Sequence, residues 1–195
     1  WVYEPKYDGF RAIAFVDGDQ CMVQSRSGKP LSRYFPELTF PPGRYVLDGE
    51  VVIDGDDELQ DFDTLQQRIH PAASRIALLA EQTPARYVAF DLLARDDEVL
   101  LELPLAERRA ALEALVGAPV QVTPLTSDPA EAQPWLQRGE GVVAKDRQAP
   151  YRPGQRTGMV KVKRVRTIDA VVAGYRPGKE RGTVGSLILG LYDPG

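Results

Sequence analysis

Short runs in which apolar and polar positions alternate recur along this chain, and they predict a protein built mainly of strands. Phe10–Val16 and Gln20–Ser25 flank Asp17-Gly18-Asp19, and two such runs around an Asp-Gly pair predict a hairpin. Tyr45–Ile53, Arg86–Leu93, Gly141–Lys145, Met159–Arg164 and Ile168–Tyr175 are further runs rich in Val, Ile and Tyr, residues suited to a pleated, half-buried surface. Thr183–Tyr192 reads as one more strand that needs a sheet to join. The chain also starts at Trp1, so it is expected to be a fragment cut at both ends.

Helical patterns are fewer. Leu105, Arg109, Leu112, Leu115 and Val116 form one stripe between Pro104 and Gly117. Asp128, Pro129 and Gly139 supply an N-cap, a first-turn proline and a terminal glycine for a second helix. Asp61–Ile69 and Ser74–Glu81 are shorter patterns of the same kind. Hairpin-linked strands with a few interspersed helices indicate an α+β fold of mainly antiparallel sheets flanked by helices. The basic stretch around Arg164–Thr167 is the expected boundary, giving domains of residues 1–166 and 167–195.

Composition narrows the chemistry. Hydrophobic residues make up 43% of the 195 positions, enough for a real core. No apolar run approaches the ~20 residues of a membrane-spanning helix, and no signal-peptide pattern opens the chain, so a cytoplasmic protein is expected. With Cys21 and His70 as the single cysteine and histidine, an internal disulfide, a thiolate–imidazole metal cluster and a two-histidine mechanism are excluded. Net charge is −4, but Lys145 to Arg181 holds 11 Lys and Arg against three acids. That segment, at +8 with Tyr151 and Tyr175 interleaved, reads equally as a polyanion-facing surface or a solvated basic face.

Five segments carry candidate chemistry. In Glu4-Pro5-Lys6-Tyr7-Asp8-Gly9-Phe10-Arg11, Pro5 argues against a strand just before Lys6, and Asp8-Gly9 forms a turn. Lys6 is then a nucleophile once its amine sheds a proton, or else a surface lysine before a turn. Leu47-Asp48-Gly49-Glu50 reads as an acidic turn entering a strand, with carboxylates at a sheet edge for a metal or ribose hydroxyls, or as a capping acid. Glu140 precedes a short apolar strand ending at Lys145. In Val160-Lys161-Val162-Lys163, period-two alternation sends both lysines to one face, towards an anion if the valines meet the core, or else into water as a solvated sheet face. Phe90 is a core ring or a platform for a base. Together these make a kit for attack on a nucleotide phosphate, and without GxxxxGK[ST] it is not a P-loop kit.

In order and spacing, over nearly the whole chain, these segments resemble the motifs of covalent nucleotidyltransferases, specifically ATP-dependent DNA ligases of the bacterial repair and end-joining type. The resemblance implies a nucleotidyltransferase (ATP-grasp-like) adenylation domain, with Lys6 as the lysine that becomes adenylated. It implies Glu4 in the adenine pocket, Arg11 on the nucleotide or DNA 5′-phosphate side, and Arg26 at ribose and phosphate. Glu50 becomes a ribose or metal contact, Phe90 the ring under adenine, Glu140 a metal-site acid, and Lys161 with Lys163 the pair at the α-phosphate. Arg181–Tyr192 resembles the opening of an OB-fold domain, whose remaining strands and late basic motif are absent from the sequence. The implied cofactors are ATP, held as covalent AMP, and Mg²⁺ or Mn²⁺. The implied partners are nicked double-stranded DNA and repair or end-joining proteins, with a monomer working at the nucleoid. An RNA ligase, an mRNA-capping guanylyltransferase and a non-catalytic nucleic-acid-binding module remain as alternatives.

Overall fold

The computed structural model of the chain describes residues 1–55, 60–155, 157–164 and 167–192. They belong to two compact units, Trp1–Arg164 and Val165–Gly195. The boundary expected in the basic stretch runs through residues 165–166, which lie outside the described residues.

The first unit runs β1 (Val2–Pro5), β2 (Phe10–Gly18), β3 (Gln20–Ser25), β4 (Gly43–Val52), α1 (Phe62–Gln67), α2 (Ala73–Gln82), β5 (Arg86–Arg95) and β6 (Glu98–Val99). It continues with α3 (Leu105–Leu115), β7 (Gln121–Val122), α4 (Pro129–Arg138), β8 (Val142–Lys145) and β9 (Met159–Val162). Two sheets result. The larger has the order β3-β2-β4-β5-β6, antiparallel throughout, with β7 parallel to β5. The smaller is antiparallel, in the order β1-β8-β9. The expected hairpin is β2–β3, where Gly18 at φ 61° takes the left-handed conformation that side chains resist.

Period-two alternation divides the larger sheet into a core face and a chemistry face. Ala12, Ala14 and Val16 of β2, Tyr45, Leu47 and Val51 of β4, and Tyr87, Ala89 and Leu92 of β5 join the core, with Leu65 of α1 and Leu112 of α3. Fully burying each of the leucines contributes about 1.5–3 kcal/mol. Gly49 keeps this face thin: a Cβ there would lie 2.5 Å from Val88 O and 2.6 Å from the Tyr87 ring. The Tyr87 hydroxyl is satisfied by donation to Ala12 O at 2.8 Å. On the opposite face of β2 and β4 stand Arg11, Asp48 and Glu50.

Several expectations change here. β1 includes Pro5, although the proline argued against a strand at that point. Tyr3 N–H points away from β8 and donates to Thr126 O, and by alternation the N–H that Pro5 lacks would point the same way. Lys6 N–H, on the β8 side, donates to Gly141 O at 2.9 Å, so the ladder loses nothing. Asp48 and Glu50 do not lie at a turn or a sheet edge, because β4 is continuous through them and is flanked by β2 and β5. β9 ends at Val162, so Lys163 falls beyond the strand. Val160 and Val162 are 51% and 41% exposed, not core residues.

Two of the helices follow their capping signals. Asp128 caps α4 by accepting from Ala130 N at 2.8 Å, and Asp61 caps α1 by accepting from Thr64 N at 2.9 Å. Pro104 at the N-cap of α3 offers no side-chain acceptor, and the first-turn N–H groups of Leu105 and Ala106 instead donate to Ala149 O and Arg147 O. That choice fixes the β8–β9 loop against α3. Among the described residues no helix is long and apolar enough to cross a membrane.

The second unit contributes an antiparallel pair, β10 (Val171–Pro177) and β11 (Val184–Gly190). Gly182, at φ 84°, serves the connecting turn. Val172, Leu187 and Leu189 are each more than half exposed.

Candidate active site

Lys6 sits where the chain leaves the smaller sheet and enters the larger one. Its backbone is held by Gly141 O, and its Nζ lies 3.9 Å from Glu140 Oε2 and 3.4 Å from Tyr7 O. Two glycines make this approach sterically open. A Cβ on Gly9 would stand 2.3 Å from Val51 O and 2.9 Å from Glu50 Cγ. A Cβ on Gly141, at φ 132°, would stand 2.2 Å from Val162 O. The glycine of Asp8-Gly9 thus brings the Lys6 turn against β4 beside Glu50, and that of Glu140-Gly141 brings it against β9.

Arg11 and Glu50 are direct partners across β2–β4, but the guanidinium runs diagonally to Asp48. Nε donates to Asp48 Oδ1 at 3.1 Å and Nη2 to Oδ2 at 2.6 Å, while the Tyr151 hydroxyl donates to Oδ2 at 2.7 Å. Hydrogen bonding to Asp48 raises the Arg11 pKa further, so it is a fixed cation. Glu50 is left without that arginine. Burial pushes its carboxyl up to about 7, opposed by Arg11 and assisted by Asp48, with Lys6 and Lys161 also pulling it down. Desolvation and the nearby Arg11 lower the Lys161 ammonium, Glu50 opposes the shift, and Lys6 and Arg26 add to it. Lys6, Arg11 and Lys161 therefore all act on the Glu50 carboxyl, and Arg26 adds its charge at Lys161, a density of cations expected of a polyanion site.

Phe90 is a half-buried ring outside the core, and the register explains its position. Asp48 pairs with Asp91 and Gly49 with Ala89, so Phe90 is an extra residue that bulges from β5. Lys145 Nζ lies 4.9 Å and Arg11 Cζ 5.7 Å from its ring centroid, joining the two sheets across the site. Lys145 also pairs with buried Glu4 at 2.7 Å. Burial raises the Glu4 carboxyl, opposed first by Lys145 and also by Arg109. Glu4 Oε1 and Arg109 Nη1, 3.6 Å apart, have no hydrogen-bond partner among the described residues. Behind Phe90, Arg108 clamps Asp91 at 2.8 and 2.9 Å.

The structure therefore gathers Lys6, Arg11, Glu50, Glu140 and Lys161 around one point, with Glu4 and Phe90 on the Lys145 side. Arg26 is exposed in the turn after β3, where Gly28 N–H donates to Ser25 O, and its charge reaches Lys161. Lys163 is exposed past the end of β9, without a described polar contact. Sequence reasoning missed Asp48 as the arginine clamp, although it shares a strand face with Glu50. It passed over Lys145 as merely the end of a strand. Asp91 and Arg108 carried no local signal, Arg109 read only as part of a helical stripe, and Tyr151 only as one residue of the basic block. The donor set of Glu50 and Glu140 is oxygen-only, and among the described residues no cluster of three or more metal-binding side chains exists. Such a pair suits a hard cation that takes its other ligands from phosphates and water. A 420 Å³ groove between Phe15, Met22, Arg44 and Val46 contains none of these residues.

The sequence matches the family described as ATP dependent DNA ligase domain over residues 1–163. It is 51% identical over 205 residues to DNA ligase C2 of Mycolicibacterium smegmatis, an alignment covering 98% of this chain and 57% of that protein. It is 49% identical to DNA ligase C of Mycobacterium tuberculosis, covering 97% of this chain and 58% of that protein. The chain thus spans little more than half the length of these relatives. Among solved structures it resembles a mycobacterial DNA ligase D complexed with ATP and MES, at 30% identity and a TM-score of 0.72, covering all of this chain and 63% of that one.

Proposed function

The chain belongs to the ATP-dependent DNA ligase domain family, and on that premise we propose that it is the adenylating part of a nick-sealing enzyme. Lys6 Nζ attacks the α-phosphorus of ATP. A P–N bond forms, the bond from the α-phosphorus to the bridging oxygen breaks, pyrophosphate departs and the amine loses its proton. AMP then passes to the 5′-phosphate at a nick, and the 3′-hydroxyl displaces it to seal the strand.

The observation that carries this reading is the position of Lys6, held against Glu140 at the junction of two sheets that also present Arg11, Glu50 and Lys161. Phe90 takes the adenine face, Glu4 lies in the adenine pocket and Arg26 serves ribose and phosphate. Arg11, Lys161 and Lys163 balance charge on the phosphates. Glu50 and Glu140 would hold Mg²⁺ or Mn²⁺, which supplies positive charge to the phosphate oxygens when bound. The basic segment from Lys145 onward follows the backbone of nicked duplex DNA. Residues 1–166 form the adenylation domain and 167–195 the first strands of an OB-fold. The protein works as a monomer at the nucleoid alongside end-joining or repair proteins.

The test is intact mass of the complete natural protein before and after ATP with Mg²⁺, beside Lys6→Ala. An increment of one AMP that requires Lys6 is the expected result. No increment in the complete protein removes the enzyme reading and leaves a nucleic-acid-binding module.

A further inference from the structure

We infer that Tyr151 is a positioning residue for Arg11, its hydroxyl acting with Asp48 to present the free edge of the guanidinium to a phosphate oxygen. The inference rests on the reading above that puts Arg11 on the phosphate side. A guanidinium has five N–H donors in a planar fork. Arg11 Nε donates to Asp48 Oδ1, and Nη2 donates to Asp48 Oδ2 at 2.6 Å and to the Tyr151 hydroxyl at 3.2 Å. The hydroxyl donates in turn to the same Asp48 oxygen at 2.7 Å, closing a three-residue ring. Nη1 makes no hydrogen bond among the described residues, and its two donors remain for a ligand.

Asp48 alone fixes the plane of the fork, and Arg11 would then be the one side chain holding that carboxylate among the described residues. A third hydrogen bond, on Oδ2, holds the carboxylate from a second side, as outer groups do when they orient a functional side chain. The hydroxyl is itself held firmly. Tyr151 N–H donates to Leu101 O at 2.8 Å, and two residues earlier Ala149 O accepts from Leu105 N–H of α3 at 3.0 Å. Arg108 donates to the same carbonyl at 3.3 Å and lies 5.9 Å from the Tyr151 ring centroid. Gly158 closes the loop, because a Cβ there would stand 2.5 Å from Ala149 Cβ. The direction in which Arg11 points is thus set from α3, an element that otherwise supports Asp91 behind the ring of Phe90.

Tyr151→Phe removes the hydroxyl and keeps the ring that Arg108 covers. The complete natural protein with Tyr151→Phe is expected to seal a pre-adenylated nick about tenfold more slowly, the loss of one charge-assisted hydrogen bond. Adding Tyr151→Phe to Arg11→Ala is expected to change nothing further, because the hydroxyl acts through the arginine. A wild-type rate for Tyr151→Phe, or a full tenfold loss on top of Arg11→Ala, overturns the inference. Nitrogen-15 spectra of the arginine side chains give a readout that needs no activity. Arg11 should show slowed guanidinium rotation in the unmodified chain and averaged signals in Tyr151→Phe; identical signals overturn the inference alone. The Tyr151 hydroxyl proton should exchange slowly with water in the unmodified chain, a check that requires no variant to fold, and rapid exchange overturns the inference. If the unmodified protein neither takes up AMP nor seals a nick, the functional reading falls and takes this inference with it.

Discussion

Asp48 and Asp91 face each other as paired residues of β4 and β5, both buried, and each holds a different arginine. Asp48 takes Arg11 from β2 and Asp91 takes Arg108 from α3. The two ion pairs give each of these adjacent buried carboxylates a cation of its own, and they flank the strand position from which Phe90 bulges.

Arg108→Met should therefore be costly. It leaves Asp91 buried without its cation, a loss of about 3–5 kcal/mol. Arg44→Ala breaks the exposed Arg44–Asp97 pair and should cost less than about 1 kcal/mol. Urea unfolding of both variants checks the contrast, and similar costs would contradict a charge buried in need of its partner.

Stability should fall as pH rises through the range set by Glu50. Its carboxyl sits at about 7 in the fold against an ordinary 4.5, so between these values the native state keeps a proton that the unfolded chain has released. The contribution is complete below 4.5 and lost above about 7, worth on the order of 3 kcal/mol at 1.36 kcal/mol per unit. Glu50→Gln should flatten that slope in urea midpoints measured across the same range. A slope unchanged by Glu50→Gln would assign the effect elsewhere.

Gly9→Ala should disturb the Lys6 turn, because its new methyl meets the backbone carbonyl of Val51 instead of a side chain that can move. A loss of about 2 kcal/mol or more is expected. Gly117→Ala, where nothing lies within 4 Å, should stay within about 0.5 kcal/mol. Thermal unfolding of the pair distinguishes spacing from simple loop stiffening.

Phe90→Leu should leave stability within about 1 kcal/mol, since the ring lies outside the core, and weaken ATP capture about tenfold through lost stacking. Equilibrium nucleotide binding measures it. Unchanged affinity would make the ring a lid over Lys145 and not a platform.

Much of this fold was legible in the sequence where local chemistry decided it. Asp17-Gly18-Asp19 makes the hairpin, Asp128-Pro129 starts α4, and the Leu105–Val116 stripe lies in α3 apart from its last residue. Pro5 misled because a proline's effect on a strand depends on which side its missing N–H faces, which only the partner strand decides. Val160 and Val162 misled because alternation separates two faces without saying which one is covered. Lys6, Glu50 and Glu140 stood out in the sequence by residue type, and the structure places Glu140 beside Lys6, with the Lys6 charge reaching Glu50. Asp48's true partner, and the supports Tyr151 and Arg108, come from contacts between residues 17 to 140 positions apart, beyond any local pattern.

The bulge at Phe90 has a consequence for how this sheet tolerates change. Ala89 and Asp91 already pair with consecutive residues of β4, so removing Phe90 would close the ladder at this bulge and leave only the one at Leu93. A one-residue deletion, usually ruinous inside a strand because it turns every following side chain over, would here mend the weave. The strand carries Phe90 as a surplus stitch, and a shortened chain that folds well and captures no nucleotide would show that the residue is there for chemistry alone.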